Sequence, residues 1–304
     1  MLSAIVIFIV SLATLIFSSD RFISASEKVG LGFGIAPFVI GVTVVAFGTS
    51  LPELMTSIIS VYQGSSEIVV GNVVGSNITN ILLVVGISGV ISGDMIIKRN
   101  LIGEDIPMML ASALLLWFCL QDLTFSFVEA ILFCFALLVF LWNCMKSDSM
   151  EQPDAEARAT WKEYLIILIG AVGIFFGASY TVSSISEMST LMGVDPEIVS
   201  LSALALGTSL PEVVVSVTAC KRGMADMALG NVIGSNIFNT YAVMAIPSFY
   251  GNLLIPSSIL EFSLPFMVGV SLLFMIMCIS KRVSFFQGCL LLVFYAFFLT
   301  ELFT

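Results

Sequence analysis

Apolar residues follow one another along this chain in blocks about as long as a helix that crosses a bilayer. A crossing takes about 20 predominantly apolar residues. On that rule the 304-residue sequence holds about ten runs. They lie roughly at 2–29, 36–62, 67–92, 102–120, 124–145, 161–191, 196–220, 225–247, 256–279 and 284–303. Nearly every run is apolar all round rather than along one stripe, which suits lipid. Runs one and six exceed the minimum, so long, tilted helices are expected there. Runs two, three, seven and eight carry Gly, Pro, Asn, Ser or Glu inside otherwise apolar sequence. The predicted fold is all-α and integral to the membrane, with about ten transmembrane helices. The first run, Leu2 to Phe17, has no basic segment before it and continues to Ser18-Ser19-Asp20-Arg21. It is read as a first membrane helix and not as a cleaved leader.

The basic residues then set an orientation. Arg21, Lys28, Lys98, Arg99, Lys146, Arg158, Lys162, Lys221, Arg222, Lys281 and Arg282 all fall on one side of a ten-helix arrangement. By the positive-inside rule that side is the cytoplasm, and both termini face outward. The expected location is the cell (inner) membrane, with a cytoplasmic linker at 146–160. Its neighbourhood is polar: Lys146 to Glu163 includes Asp148, Glu151, Asp154 and Glu156, as a solvated segment would.

Composition narrows the chemistry. Apolar residues make up 59% and charged residues 11%, against about 25% charged in a soluble domain. A net charge of -10 argues against nucleic acid as a partner, and no required protein partner is evident. The six Cys form no C-x-x-C and mostly lie within apolar runs, so they serve packing. There is no His, which removes His-based metal sites and nucleophilic triads.

The sequence also repeats itself. Gly48-Thr49-Ser50-Leu51-Pro52-Glu53 recurs as Gly207-Thr208-Ser209-Leu210-Pro211-Glu212. Gly71-Asn72-Val73 recurs as Gly230-Asn231-Val232, Gly75-Ser76-Asn77-Ile78 as Gly234-Ser235-Asn236-Ile237, and Asn80 as Asn239. Pro37 likewise matches Pro196. The offset is 159 throughout (212 minus 53, 239 minus 80), without a gap. Each half, 1–145 and 161–304, holds five predicted crossings. Five is odd, so the halves enter the membrane from opposite sides, an inverted repeat of the kind secondary transporters use. A duplication kept for packing would preserve apolar faces. Here the identity falls on polar and helix-breaking residues.

Those residues are oxygen-rich. Glu53 and Glu212 sit mid-span, where an unpaired charge costs about 3 kcal/mol on insertion scales. No Lys or Arg lies nearby in sequence, so a cation would supply the missing charge. Pro52 and Pro211 lack an amide hydrogen, which frees a carbonyl in the preceding turn and predicts a break near Gly48-Thr49 and Gly207-Thr208. Ser76 and Asn80 share one helix face, as do Ser235 and Asn239. A cage of carboxylate, carbonyl, amide and hydroxyl oxygens suits calcium and sodium. Magnesium resists dehydration, and zinc or copper would call for His or Cys.

With these motifs the chain resembles the sodium/calcium exchanger family of the calcium/cation antiporters, and its short central linker resembles the compact prokaryotic members. The paired GTSLPE and GS-x-x-x-N segments look like that family's alpha repeats. The resemblance implies a non-enzymatic antiporter that carries calcium and sodium without a cofactor. It implies Glu53 and Glu212 as the main calcium ligands, with the carbonyls of Thr49 and Thr208. It implies flanking sodium sites at Ser50, Ser76, Ser209 and Ser235 with the carbonyls of Ala46 and Ala205. Asn80 and Asn239 would complete the centre, and runs one and six would be sliding gate helices. Asn239 departs from members that carry Asp there, which leaves two carboxylates rather than three. Three other classes share parts of the pattern. A calcium/proton exchanger would use the same glutamates, a channel could be built from the same broken helices, and an intramembrane enzyme would need a base that no His supplies.

Overall fold

The computed structural model describes residues 2–147, 160–191 and 207–302. The described chain is almost entirely helical. Helix α1 (Leu2–Gly32) is followed by α2 (Pro37–Thr49) and α3 (Leu51–Tyr62), then by α4 (Glu67–Ser92), α5 (Asp105–Cys119) and α6 (Phe127–Ser147). The second half contributes α7 (Trp161–Leu191), α8 (Leu210–Lys221), α9 (225–248), α10 (Ile259–Cys278) and α11 (Phe285–Leu302). Each predicted run thus meets a helix within a few residues, run seven through its C-terminal part. The expected linker at 146–160, Pro196 and Ala205 lie mostly or wholly outside the described residues.

Six of these helices are long and apolar enough to cross a membrane, and α2 with α3 forms a further candidate bent by 40°. Helix α9 falls short on apolarity because Asn231, Asn236, Asn239 and Thr240 interrupt it. Yet it is buried along nearly its whole length. Protein, not lipid, surrounds the polar helix, as it must where side-chain amides need partners. The lipid-like surface belongs to α1, α6 and α7, which expose Ile9, Phe17, Leu138, Trp142, Leu168 and Ile169.

Small residues set the close contacts. Helices α1 and α7 pack along their length, and Gly170, Gly173 and Gly177 of α7 face Phe22, Ser18 and Leu15 of α1. A Cβ at Gly177 would fall 2.9 Å from the Leu15 backbone, so only glycine lets the helices approach this far. The Thr181 hydroxyl meets Ser11 across the same seam at 2.9 Å. In the centre, a Cβ at Gly234 of α9 would lie 2.5 Å from the Val42 carbonyl oxygen of α2.

Two features absent from the all-α expectation tie the halves together. Strand β1 (Asp94–Ile96) pairs antiparallel with β4 (Arg282–Ser284), and β2 (Thr124–Phe125) pairs with β3 (Leu253–Leu254). Adding 159 carries β1 onto β3 and β2 onto β4, so the pairs exchange under the same offset as the sequence motifs. Strands of two or three residues in connecting loops leave no alternation to detect. The structure also carries π-helical turns at Asn80–Val84 and Asn239–Val243, again 159 apart.

Candidate ion-binding site

The centre is built where α2 gives way to α3 and where α8 begins. Helix α2 ends at Thr49 and α3 begins at Leu51. Between them Ser50 leaves helical geometry at φ -86° and ψ 6°. Ser209, before α8, adopts φ -85° and ψ 1°. Pro52 and Pro211 lie in the first turn of the new helices, where a missing amide hydrogen costs nothing. The Leu54 and Val213 amides donate back to the Ser50 and Ser209 carbonyls at 3.2 and 3.1 Å. Glu53 and Glu212 fall in those first turns and are fully buried. A helix N-terminus favours a carboxylate by about 0.3–1 kcal/mol, less than the cost of burying the charge.

Helices α4 and α9 supply the surrounding polar groups, and the bonds run crosswise between the repeats. Thr49 donates to the Asn231 side-chain oxygen at 3.1 Å and lies 3.4 Å from the Ser235 hydroxyl. Its counterpart Thr208 lies 3.5 Å from the Asn72 oxygen and 3.4 Å from the Ser76 hydroxyl. Asn72 donates to Ser57 at 3.0 Å, and Asn231 to Ser216 at 2.9 Å. The hydroxyls of Thr208 and Ser76 flank the Glu53 carboxylate, and those of Thr49 and Ser50 flank Glu212. At the midpoint Asn80 donates to the Asn236 oxygen at 3.0 Å, and Asn239 to the Asn77 oxygen at 3.3 Å.

What this network leaves undone is informative. Among the described residues, nine buried side-chain oxygens have no hydrogen-bond partner. Six of them belong to this centre: both oxygens of Glu53, one of Glu212, the amide oxygens of Asn80 and Asn239, and the Ser209 hydroxyl. Buried polar atoms are almost always satisfied, and unpaired buried anions are costlier still. Ion pairs join Lys28 to Glu163, Arg99 to Asp105 and Arg222 to Asp20 elsewhere. Among the described residues no basic side chain reaches Glu53 or Glu212. Nor do three His, Cys, Asp or Glu side chains cluster anywhere among them. The arrangement can therefore offer a cation two carboxylates and several neutral oxygens. A cavity of about 520 Å³ between α2, α6 and α7 holds none of the six oxygens and is lined by Phe22, Phe47, Phe140 and Phe238.

Of the residues expected from sequence, Glu53, Glu212, Thr49, Thr208, Ser50, Ser209, Ser76, Ser235, Asn80 and Asn239 gather here. The Ala46 carbonyl already accepts from the Ser50 amide at 3.0 Å and the Thr49 hydroxyl at 3.3 Å. Asn72, Asn231, Ser57, Ser216, Asn77 and Asn236 have no role expected from sequence. Their signal is there nonetheless, since each of the three pairs repeats at 159.

The sequence matches the family model described as "Sodium/calcium exchanger protein" over residues 3–146 and 162–304. It is 31% identical to the putative antiporter CaxA of Alkalimonas amylolytica over 96% of both chains. It is 29% identical to the sodium/calcium exchanger MaX1 of Methanosarcina acetivorans over 98% of this chain and 97% of that one. Its fold superimposes on the sodium-calcium exchanger NCX_Mj with a TM-score of 0.87 and 30% identity, covering 98% of each chain. Full-length coverage, a shared fold and a buried oxygen-lined centre agree: the chain is a multi-pass membrane protein of the sodium/calcium exchanger family, a family of transporters, and is of its compact prokaryotic type.

Proposed function

We propose that this protein is a secondary antiporter that exchanges sodium for calcium by alternating access. The observation that carries the reading is the set of six unpaired buried oxygens around Glu53 and Glu212, which no basic side chain among the described residues reaches. Two carboxylates balance one calcium ion. Thr49, Thr208, Ser50, Ser209, Ser76, Ser235, Asn80, Asn239 and the carbonyls of Ala46 and Ala205 complete the calcium and flanking sodium sites. The chain crosses the membrane ten times as two inverted five-helix repeats, with the basic ends and central linker in the cytoplasm. The crosswise bonds and exchanged strand pairs support a two-fold relation of this kind. Helices α1 and α7, sealed to each other by glycine, slide as one unit across the core and open one face at a time.

If three sodium ions replace one calcium ion, the loaded site gains one positive charge. Moving that charge through the membrane is worth about 2.3 kcal/mol per 100 mV. The test is calcium uptake into sodium-loaded proteoliposomes clamped at different potentials. Uptake that follows the sodium gradient and steepens with potential is the expected result. Uptake driven by a pH gradient without sodium would make the protein a calcium/proton exchanger. Non-saturating flux without a counter-ion would make it a channel.

A further inference from the structure

The central amides raise a question of direction. An Asn side chain ends in an oxygen that attracts a cation and an NH2 group that repels one, and the two ends are nearly the same size. Asn80 and Asn239 are fully buried and open the two π-helical turns. Something must decide which end faces the carboxylates.

The geometry points to Asn77 and Asn236 as positioning residues for these two amides, each acting on the opposite repeat. Asn236 accepts the Asn80 NH2 at 3.0 Å, and Asn77 accepts the Asn239 NH2 at 3.3 Å. Among the described residues both amide oxygens at 80 and 239 are left without a partner. The two outer amides are themselves fixed. Asn77 donates to the Thr240 hydroxyl at 3.0 Å and lies 3.7 Å from the Met267 sulfur. Asn236 donates to the Asn77 carbonyl at 3.3 Å and lies 3.7 Å from the Met109 sulfur. Sulfur is a weak acceptor, so the outer NH2 groups turn toward it and the outer oxygens turn toward the centre. In each half the nitrogen of the inner amide is tied and its oxygen is released. This inference rests on the proposed ion site and assigns a role to two residues outside it.

An alternative role for the same bonds is adhesion between α4 and α9. Hydrogen bonds between membrane helices average about 0.6 kcal/mol, and adhesion alone would not alter ion affinity. Residues that orient a metal ligand change affinity about 10- to 100-fold when removed.

The test is a crossed mutant cycle read by half-saturating calcium for uptake and by the calcium-induced rise in Tm. Asn77→Leu and Asn236→Leu keep the branched shape and the number of side-chain heavy atoms and remove the acceptor, and Asn77→Ala and Asn236→Ala serve if a leucine variant does not fold. Asn77→Leu should raise half-saturating calcium about 10-fold. In an Asn239→Ala background it should add less than about 2-fold, since the group it positions is gone. In an Asn80→Ala background it should still add about 10-fold. Asn236→Leu should show the reverse dependence. Equal effects in both backgrounds, or a lower Tm with unchanged half-saturating calcium, would overturn the assignment. Glu53→Gln, run in parallel, separates the two claims. If it keeps its calcium response, the ion site itself is wrong. If it loses that response while the crossed cycle is additive, only the positioning role fails.

Discussion

Ser50 donates to Glu212 across the centre at 3.2 Å. Among the described residues Ser209, its counterpart in the other repeat, donates to nothing, and neither oxygen of Glu53 has a partner. The backbone shows the opposite bias. Asn72 donates to the Glu53 carbonyl at 3.0 Å as well as to Ser57, whereas Asn231 donates to Ser216 alone. One half thus holds its carboxylate and the other holds the helix turn behind it. The residues that make these bonds are the same in the two repeats, while their neighbours differ, Thr56 matching Val215 and Ser60 matching Ala219. On the proposed alternating access, one half would face the open side at a time and the two environments would swap.

The most drastic way to break the comparison is to neutralise one carboxylate at a time. Glu53→Gln and Glu212→Gln should each reduce calcium uptake at least about 100-fold, because one remaining carboxylate balances half of the calcium charge. Without ions, both variants should melt at or above the parent temperature, since each removes a buried, unpaired charge. The gain should be larger for Glu53→Gln, whose parent oxygens are both unpaired. Near-normal uptake in either variant would remove that glutamate from the site.

The serines sharpen the same comparison with a smaller effect. Ser50→Ala breaks a hydrogen bond to a buried carboxylate, worth about 1.5–3 kcal/mol. Ser209→Ala breaks none in this state and should change stability by less than about 0.5 kcal/mol. Denaturation of both variants in ion-free detergent measures the gap. Equal losses would mean that the two halves share one environment on average, and the asymmetry would not describe the resting molecule. Asn72→Ala and Asn231→Ala should differ by less again, about 0.6 kcal/mol, the usual worth of one extra hydrogen bond between membrane helices.

Much of this arrangement is legible in the amino-acid sequence. The apolar runs locate the helices, because a membrane span must satisfy its backbone internally and so leaves a long, plain signature. Pro52 places the break within a residue or two of Ser50, and Pro211 places the start of α8 just after Ser209. Glu53 and Glu212 stand out as charges without partners. What the sequence does not carry is the crossing. That Thr49 meets Asn231 and Thr208 meets Asn72 depends on how α4 and α9 lie against the opposite breaks, and periodicity holds no information on pairing 132 to 186 residues apart. The π-helical turns and the short strands are hidden for a similar reason, since both arise from packing. Asn77 and Asn236 show the limit from the other side. Their repetition is visible, yet repetition alone does not tell a ligand from the residue that aims it.

The smallest expected effect concerns the contact between α1, half of the proposed sliding unit, and the end of α8. Asp20 of α1 and Arg222, just beyond α8, form an ion pair at 2.5 Å in which both side chains are partly exposed. Such a pair contributes at most about 1 kcal/mol, so Arg222→Gln should scarcely move Tm. Under the proposed sliding its role would be kinetic instead: movement of α1 past α8 would break the pair and add its stability to the barrier. An energy near 0.5 kcal/mol corresponds to a rate change of roughly 2-fold. Arg222→Gln and Asp20→Asn should therefore each speed exchange about 2-fold at low ionic strength. The difference from the parent should fade near 0.5 M salt, where screening acts over only a few ångströms. The charge-exchanged double variant Asp20→Arg with Arg222→Asp should return the rate toward the parent value. A speed-up that survives high salt would place the pair away from water. No speed-up at all would mean that α1 and α8 do not move apart during exchange, and the unit that slides would have to be drawn differently.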